Sequence, residues 1–212
     1  MSTKKEIVRT LLDRHGETYA EEAGIKLSDK PMPLYQLLVL AVLLSARIRA
    51  STAIHAAGEL YSAGLRTPQK MSDSTWRQRV AALGRGHYRR YDERTATMLG
   101  EGADLVMDRW GSDLRRLRDE AGDRAGITDL LQEVPGIGPT GADIFCREAQ
   151  GVWPVLAPYV DDKATKGAQR LGLPATPGRL ASYVDDEELP RLVSGCVRAA
   201  LSKNVAKDVL RG

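Results

Sequence analysis

The sequence predicts an all-α protein, and two observations carry that prediction. Alanine, leucine, arginine and glutamate recur at helical spacing along most of the chain, and the alternation of β-branched residues that marks strands is almost absent. A first helix is expected from Lys4 to Glu22. The stretch Pro31-Met32-Pro33 then stops one element and opens the next, because proline is tolerated at a helix start but not in its interior. Leu34 to Ala46 follows and is apolar nearly all round, as a central helix should be. Ser51 reads as the N-cap of a helix to about Ala63, and Ser72 or Ser74 as the cap of another through Leu83. Arg89 to Arg109 reads as a longer helix. Short segments at Ser112 to Ala121 and Ile127 to Glu133 lead to a glycine-rich turn, and Pro139 to Gln150, Asp161 to Leu171, Pro177 to Val184 and Asp186 to Ser202 complete the series. No repeat of fixed period and no low-complexity tract interrupts them.

A chain of 212 residues can hold one compact domain or two small lobes with a real core. Its 31 Lys and Arg against 28 Asp and Glu leave a net charge of +3, which permits nucleic-acid binding but is no globally basic coat. Two cysteines, Cys146 and Cys196, are too few for a four-thiolate cluster or a disulfide scaffold, and neither has a partner at metal-ligand spacing. Both are expected to be reduced and buried, with no metal and no cofactor. The apolar run in MSTKKEIVRTLL is broken by Arg9, Asp13 and Arg14, which is unlike a signal peptide, and the longest apolar run, Leu37 to Leu44, is too short to span a bilayer. A cytoplasmic protein without membrane contact is the expectation.

The most informative stretch is VPGIG, residues 134 to 138, inside LLQEVPGIGPTGADIF. Glycine reaches backbone angles that other residues avoid and removes side chains from the surface, so a ligand can approach the backbone. The amides of Gly136, Ile137 and Gly138, with the start of the helix after Pro139, are expected to point donors and the positive end of a helix dipole outward, which suits a phosphate. Val134 and Ile137 would pin the turn to the core, and Gly141 and Ala142 are small enough for close helix packing. A plain helix break with a glycine cap explains a lone G-x-G. The longer pattern, Leu130 and Leu131, then V-P-G-I-G-x-x-G-A, then Ile144, favours DNA binding.

LLQEVPGIGPTGADIF resembles the helix-hairpin-helix of the base-excision DNA glycosylases. GVWPVLAPYVDDK, residues 151 to 163, resembles the Gly/Pro-rich loop ending in a catalytic aspartate that completes their signature, and LLVLAVLLSARIRAS, residues 37 to 51, is similar to the endonuclease III branch. The resemblance covers most of the chain in the family's order. It implies a two-lobed helix-hairpin-helix DNA glycosylase fold, with residues 34–150 as the lobe carrying the hairpin and residues 1–33 plus 151–212 as the other, and double-stranded DNA with a damaged or mispaired base as the partner. Such enzymes flip the base into a pocket and cleave its N-glycosidic bond through a sugar-cation-like transition state. A fixed carboxylate stabilises that cation and activates water.

Residue by residue, the resemblance places Asp161 at the catalytic aspartate, a position for which a plain helix N-cap is the other reading. Asp162 beside it reads as solvent-exposed. Bifunctional members attack the sugar with a lysine amine and form a Schiff base, and Thr140 stands at that position here. A hydroxyl cannot form an imine, so a monofunctional glycosylase using water is implied, or an inactive relative, with Thr140 lining the pocket. Lys163 and Lys166 are candidates for phosphate contact or, less simply, for a relocated nucleophile. The four cysteines of the endonuclease III iron-sulfur cluster are missing, and the loop before Asp161 is a few residues longer than the family's.

Arg47 falls where the branch places a gap-filling side chain, though a solvated charge after a buried helix explains it equally. GRGHYRRYDER, residues 84 to 94, interleaves basic and aromatic side chains, with Arg89 and Arg90 as phosphate contacts and His87 and Tyr88 as alternative contacts to the opposite strand, and an exposed helix start with an incidental aromatic staple explains it nearly as well. His15 and His55 read as structural. Ala41 occupies the position of the carboxylate used by adenine-excising relatives. A nucleoid-associated monomer is the default. A non-catalytic protein binding damaged or structured DNA, and a helical scaffold for a protein partner, are the rival readings.

Overall fold

The computed structural model describes residues 3–212, all helices and connections, with no strand among the described residues. No described helix is long and apolar enough to cross a membrane. The chain divides into two compact units, Ala20–Phe145 and the described part of Met1–Tyr19 together with Cys146–Gly212. The sequence reading drew these borders at 33 and 150; residues 20–33 group with the glycine-rich turn instead.

In the terminal unit, α1 (Lys4–His15) starts at a capping box in which Thr3 and Glu6 satisfy each other's backbone N–H groups. It ends at Gly16, not at Glu22. The Gly16 N–H closes on the Leu12 carbonyl, and a Cβ there would sit 2.5 Å from that oxygen. The short α2 (Tyr19–Glu22) follows the break.

The central unit is built on α3 (Pro31–Ser45), whose side chains from Leu34 to Leu43 are all buried. Prolines 31 and 33 occupy its first turn, where their missing N–H groups cost nothing. Around it run α4 (Ala50–Ser62), α5 (Pro68–Asp73), α6 (Trp76–Arg85), α7 (Asp92–Trp110), α8 (Leu114–Ala121), α9 (Arg124–Gln132) and the start of α10 (Pro139–Ala149). The Tyr61 hydroxyl donates to the Gln36 carbonyl at 2.7 Å, tying α4 to α3. Buried Arg79 donates to the carbonyls of Ala96, Met71 and Ser74, and so joins α5, α6 and α7.

Several boundaries differ from the sequence reading, each for a local reason. The expected helix from Ser72 or Ser74 is two helices, the second capped by a Thr75–Gln78 box. The helix expected from Arg89 begins at Asp92, because residues before it form a turn in which His87 has φ 61°. Backbone at Arg49, not Ser51, opens α4, and α9, capped by Asp123, begins at Arg124, three residues before Ile127.

In the terminal unit, a 3₁₀ turn at Pro154–Leu156 precedes α11 (Asp162–Arg170), α12 (Pro177–Ala181), α13 (Leu189–Leu201) and α14 (Lys203–Arg211). The last of these was unforeseen; Ser202, read as an end, is its N-cap and accepts from Val205 N–H. Helices α11 and α13 meet backbone to backbone at Gly167, where a Cβ would lie 1.7 Å from the Cys196 carbonyl oxygen. Cys146 and Cys196 are buried and outside any disulfide, and burial pushes the Cys196 thiol up to about 12.

Candidate nucleic-acid interface and carboxylate site

The glycine-rich turn joins α9 to α10. Leu131, Val134 and Ile137 are buried and anchor it. Gly136 has φ +90°, and a Cβ there would meet Val42 Cγ1 at 3.0 Å, so both the backbone angle and the close approach require glycine. The Ile137 amide is not available to a ligand: it donates to the Val134 carbonyl at 2.9 Å, which closes the turn. That corrects the expectation of three outward amides. Among the described residues, the amides of Gly136, Gly138, Thr140 and Gly141 have no protein acceptor, while Ala142 N–H makes the first helical bond to Gly138. These are the orphan donors of a helix start, with Pro139 contributing none. The smallness of Gly141 serves the turn itself, since a Cβ there would meet Ile137 Cδ1 at 3.1 Å.

A cleft of about 420 Å³ opens beside the turn in the central unit. It brings Arg47, at the end of α3, together with Gly136, Ile137 and Gly138, and adds Tyr91, Arg94 and Met98 from the start of α7. Ser45 Oγ lies 2.8 Å from the Val42 carbonyl and 3.4 Å from that of Gly136, which stitches the end of α3 to the turn. Arg47 and Arg94 are exposed, and neither is in an ion pair among the described residues. Arg94 ends the basic and aromatic stretch 84–94 singled out in the sequence, whereas Met98, four positions further on the same face of α7, was not among the candidates.

The other expected contacts divide. Arg89 and Arg90 are exposed but do not line the cleft; the Arg90 guanidinium lies over the Tyr91 ring at 5.3 Å. Tyr88 is buried, its hydroxyl 3.3 Å from Thr95 Oγ1, and the two residues line the floor of the cleft. Exposed His87 has its ring 5.8 Å from that of His55. Thr140 is exposed on the first turn of α10 and also lies outside the cleft. Ala41 is fully buried in α3. His15 is held by Asp208 at 2.9 Å.

In the terminal unit, the long loop before Asp161 is organised by Gln150. Its side-chain amide donates to the carbonyls of Arg147 and Tyr159 and accepts from Tyr159 N–H at 2.8 Å. Asp161 is the N-cap of α11, with Oδ1 accepting from Ala164 N–H at 3.0 Å. Its Oδ2 accepts from Arg147 Nη1 at 2.8 Å, and both side chains are only 7% exposed, so this is a buried ion pair. Arg147 is the residue sequence reasoning missed. The signal was the run Arg147, Glu148, Gln150 on an otherwise apolar helix end: all three are buried polar groups, and such groups need partners. Lys163 and Lys166 on α11, and Asp162 beside them, are exposed.

No protein-family model matches the chain, and no curated protein matches it in sequence. Solved structures do resemble it. A trapped covalent intermediate of endonuclease III with DNA, an estranged-adenine complex, aligns at 19% identity and TM-score 0.50, over 93% of this chain and 85% of that one. A non-covalent endonuclease III–DNA complex aligns at 19% identity and TM-score 0.48, over 91% and 85%. The fold is the all-α fold of endonuclease III. At this identity the resemblance concerns the fold.

Proposed function

We propose that the chain is a base-excision DNA glycosylase that hydrolyses the N-glycosidic bond of a flipped damaged or mispaired base with Asp161 and water, without a Schiff base. The observation that carries the reading is the pairing, in a fold like that of the DNA-bound endonuclease III, of a helical hairpin with open amides and an aspartate at the start of a later helix. The hairpin amides of Gly136, Gly138, Thr140 and Gly141 take backbone phosphate oxygens, and Arg47 fills the space left by the flipped base. Arg89, Arg90 and Lys163 add phosphate contacts. The partner is double-stranded DNA, the protein works as a monomer at the nucleoid, and no iron-sulfur cluster or other cofactor takes part.

Asp161 can do this work while paired. A carboxylate has about four acceptor positions, and Ala164 and Arg147 take two. The remaining lone pairs are left to stabilise the developing sugar cation and to accept from the attacking water, and a carboxylate already fixed by two bonds needs little reorganisation as charge develops. Thr140 cannot replace the amine that forms an imine, so the base leaves by hydrolysis and the strand stays intact.

The test is a panel of duplexes carrying oxidised, deaminated, alkylated and abasic sites, with base release scored apart from strand cleavage. The reading expects release by wild type, loss in Asp161→Asn, no intrinsic nicking and no borohydride-trapped adduct. A trapped adduct that depends on Lys163 would relocate the nucleophile, and tight lesion binding with no release would make the chain a DNA-binding protein without chemistry.

A further inference from the structure

We propose that His55 and His87 form a binding site for one divalent metal ion of the zinc class, with Glu59 drawn in as a third ligand. The site lies within the unit Ala20–Phe145, and the inference rests neither on base excision nor on DNA binding.

Two of the three histidines of the chain meet here. His55 lies on α4 and His87 in the turn between α6 and α7, and their ring centroids are 5.8 Å apart. Imidazole nitrogens bind zinc at about 2.0–2.1 Å, which puts two rings on one ion with their centroids roughly 5–6 Å apart. Both side chains are exposed, so an ion can reach them from solvent. Glu59 stands one helical turn beyond His55 on the same face of α4, with Oε1 3.9 Å from His55 Nε2. Two donors on one tetrahedral ion are about 3.3 Å apart, so the carboxylate reaches a shared ion by a shift of about half an ångström. Its Oε2 accepts from Arg85 Nε at 2.8 Å, the kind of outer bond that orients a ligating carboxylate and leaves its other oxygen for the metal.

The backbone holds the two rings in place. Gly86 packs on α4 so closely that a Cβ would lie 2.4 Å from Ala56 Cα, next in sequence to His55. On the other side of His87, Tyr88 is buried and its N–H donates to the Leu83 carbonyl. His87 is thereby fixed between two anchored neighbours at φ 61°, a left-handed angle that costs free energy for a residue with a side chain. Ligands carried by a helix and by a pinned turn lose little freedom when they take an ion. Imidazole joined by a carboxylate favours zinc, nickel or copper over magnesium and calcium, which take oxygen ligands. No three His, Cys, Asp or Glu side chains among the described residues converge as a finished metal site. The two imidazoles therefore make the first hold, Glu59 closes on the ion, and water takes the open position. The bound ion ties the turn before α7 to α4.

The test uses the full chain without an affinity tag, its imidazoles ¹³C-labelled and assigned through the backbone. Zinc chloride is titrated alone, with magnesium chloride as the comparison. The proposal expects one Zn²⁺ per chain and saturable shifts at His55 and His87 together, but none at His15, which Asp208 holds in the other unit. His55→Gln and His87→Asn should each weaken zinc binding at least about tenfold and Glu59→Gln about threefold or more, while excess magnesium leaves the shifts unchanged. Asparagine is used at position 87 because it also adopts left-handed angles. Zinc should raise the melting temperature of wild type, an effect that EDTA reverses and that both histidine variants lose. Metal-free melting shows that each variant is folded, and the imidazole shifts of wild type locate the ion independently of any variant. Shifts confined to one histidine, zinc binding untouched by His55→Gln or His87→Asn, equal binding of magnesium, or no saturation below about 1 mM zinc would each overturn the proposal.

Discussion

Breaking the Arg147–Asp161 pair should cost far more than breaking an exposed one. Both side chains are 7% exposed and the bond is 2.8 Å, so removing one partner leaves the other charge buried and uncompensated. That loss is about 3–5 kcal/mol, against about 0–1 kcal/mol for a surface pair. Asp161→Asn should fall at the lower end, because asparagine still caps α11 and still offers Arg147 an oxygen. Arg147→Met should fall at the upper end, since it strands a carboxylate. The double variant should be more stable than Arg147→Met, because no buried charge is left alone, and the two single losses should therefore fail to add. Urea unfolding followed by circular dichroism measures all four proteins. At about 2 °C or more per kcal/mol, each single variant should lower Tm by at least about 6 °C. Single losses below about 1 kcal/mol that add in the double variant would refute the buried-pair argument. The result also governs how activity is read: Asp161→Asn must be assayed below its own unfolding transition before lost base release is assigned to chemistry.

Other perturbations are equally specific. Gly136→Ala should cost about 1–2 kcal/mol from its positive φ alone and more from contact with Val42, whereas Gly138→Ala, with open space at its Cβ, should leave stability within about 0.5 kcal/mol while weakening duplex binding; parallel melting and binding curves separate the two. Gly167→Ala should cost about 3 kcal/mol or more by forcing α11 from the Cys196 carbonyl, while Gly58→Ala, with nothing near its Cβ, should stabilise by about 0.5–1 kcal/mol; equal melting temperatures would refute the packing. Burial pushes the Tyr35 and Tyr61 hydroxyls well above the usual tyrosine range. The folded state therefore keeps protons that the unfolded chain loses, so the stability they contribute is fully present below about pH 10 and falls as pH rises beyond it. Urea midpoints at pH 8 and pH 11 should show that fall, and a midpoint independent of pH would contradict it.

What was legible in the sequence follows how local each interaction is. VPGIG was readable because a turn at φ +90° admits essentially only glycine, and Asp161 because an aspartate after a proline-containing loop is a natural helix cap. Arg147 was not readable as its partner: the two lie 14 positions apart, and the loop that sets their register is held by Gln150 through bonds to Arg147 and Tyr159. The burial of Tyr88 was not readable, because alternation of basic and aromatic residues looks the same whether the ring faces water or the core; the ring is buried where it lines the cleft. Helix α14 was missed although Val205 and Val209 are spaced four apart, since Ser202 was taken as an end when it is a start. The cleft needed three segments brought together, and no single stretch carries that information.

The measurement that bears most directly on the central claim is the release of free bases from genomic DNA that has been oxidised, deaminated or alkylated, identified by mass spectrometry. The account predicts that wild type releases a restricted set of damaged bases, that a folded Asp161→Asn releases none, and that the DNA strand is not cut in either case. Salt-sensitive DNA binding with no base released from any substrate, or release that persists in folded Asp161→Asn, would contradict it.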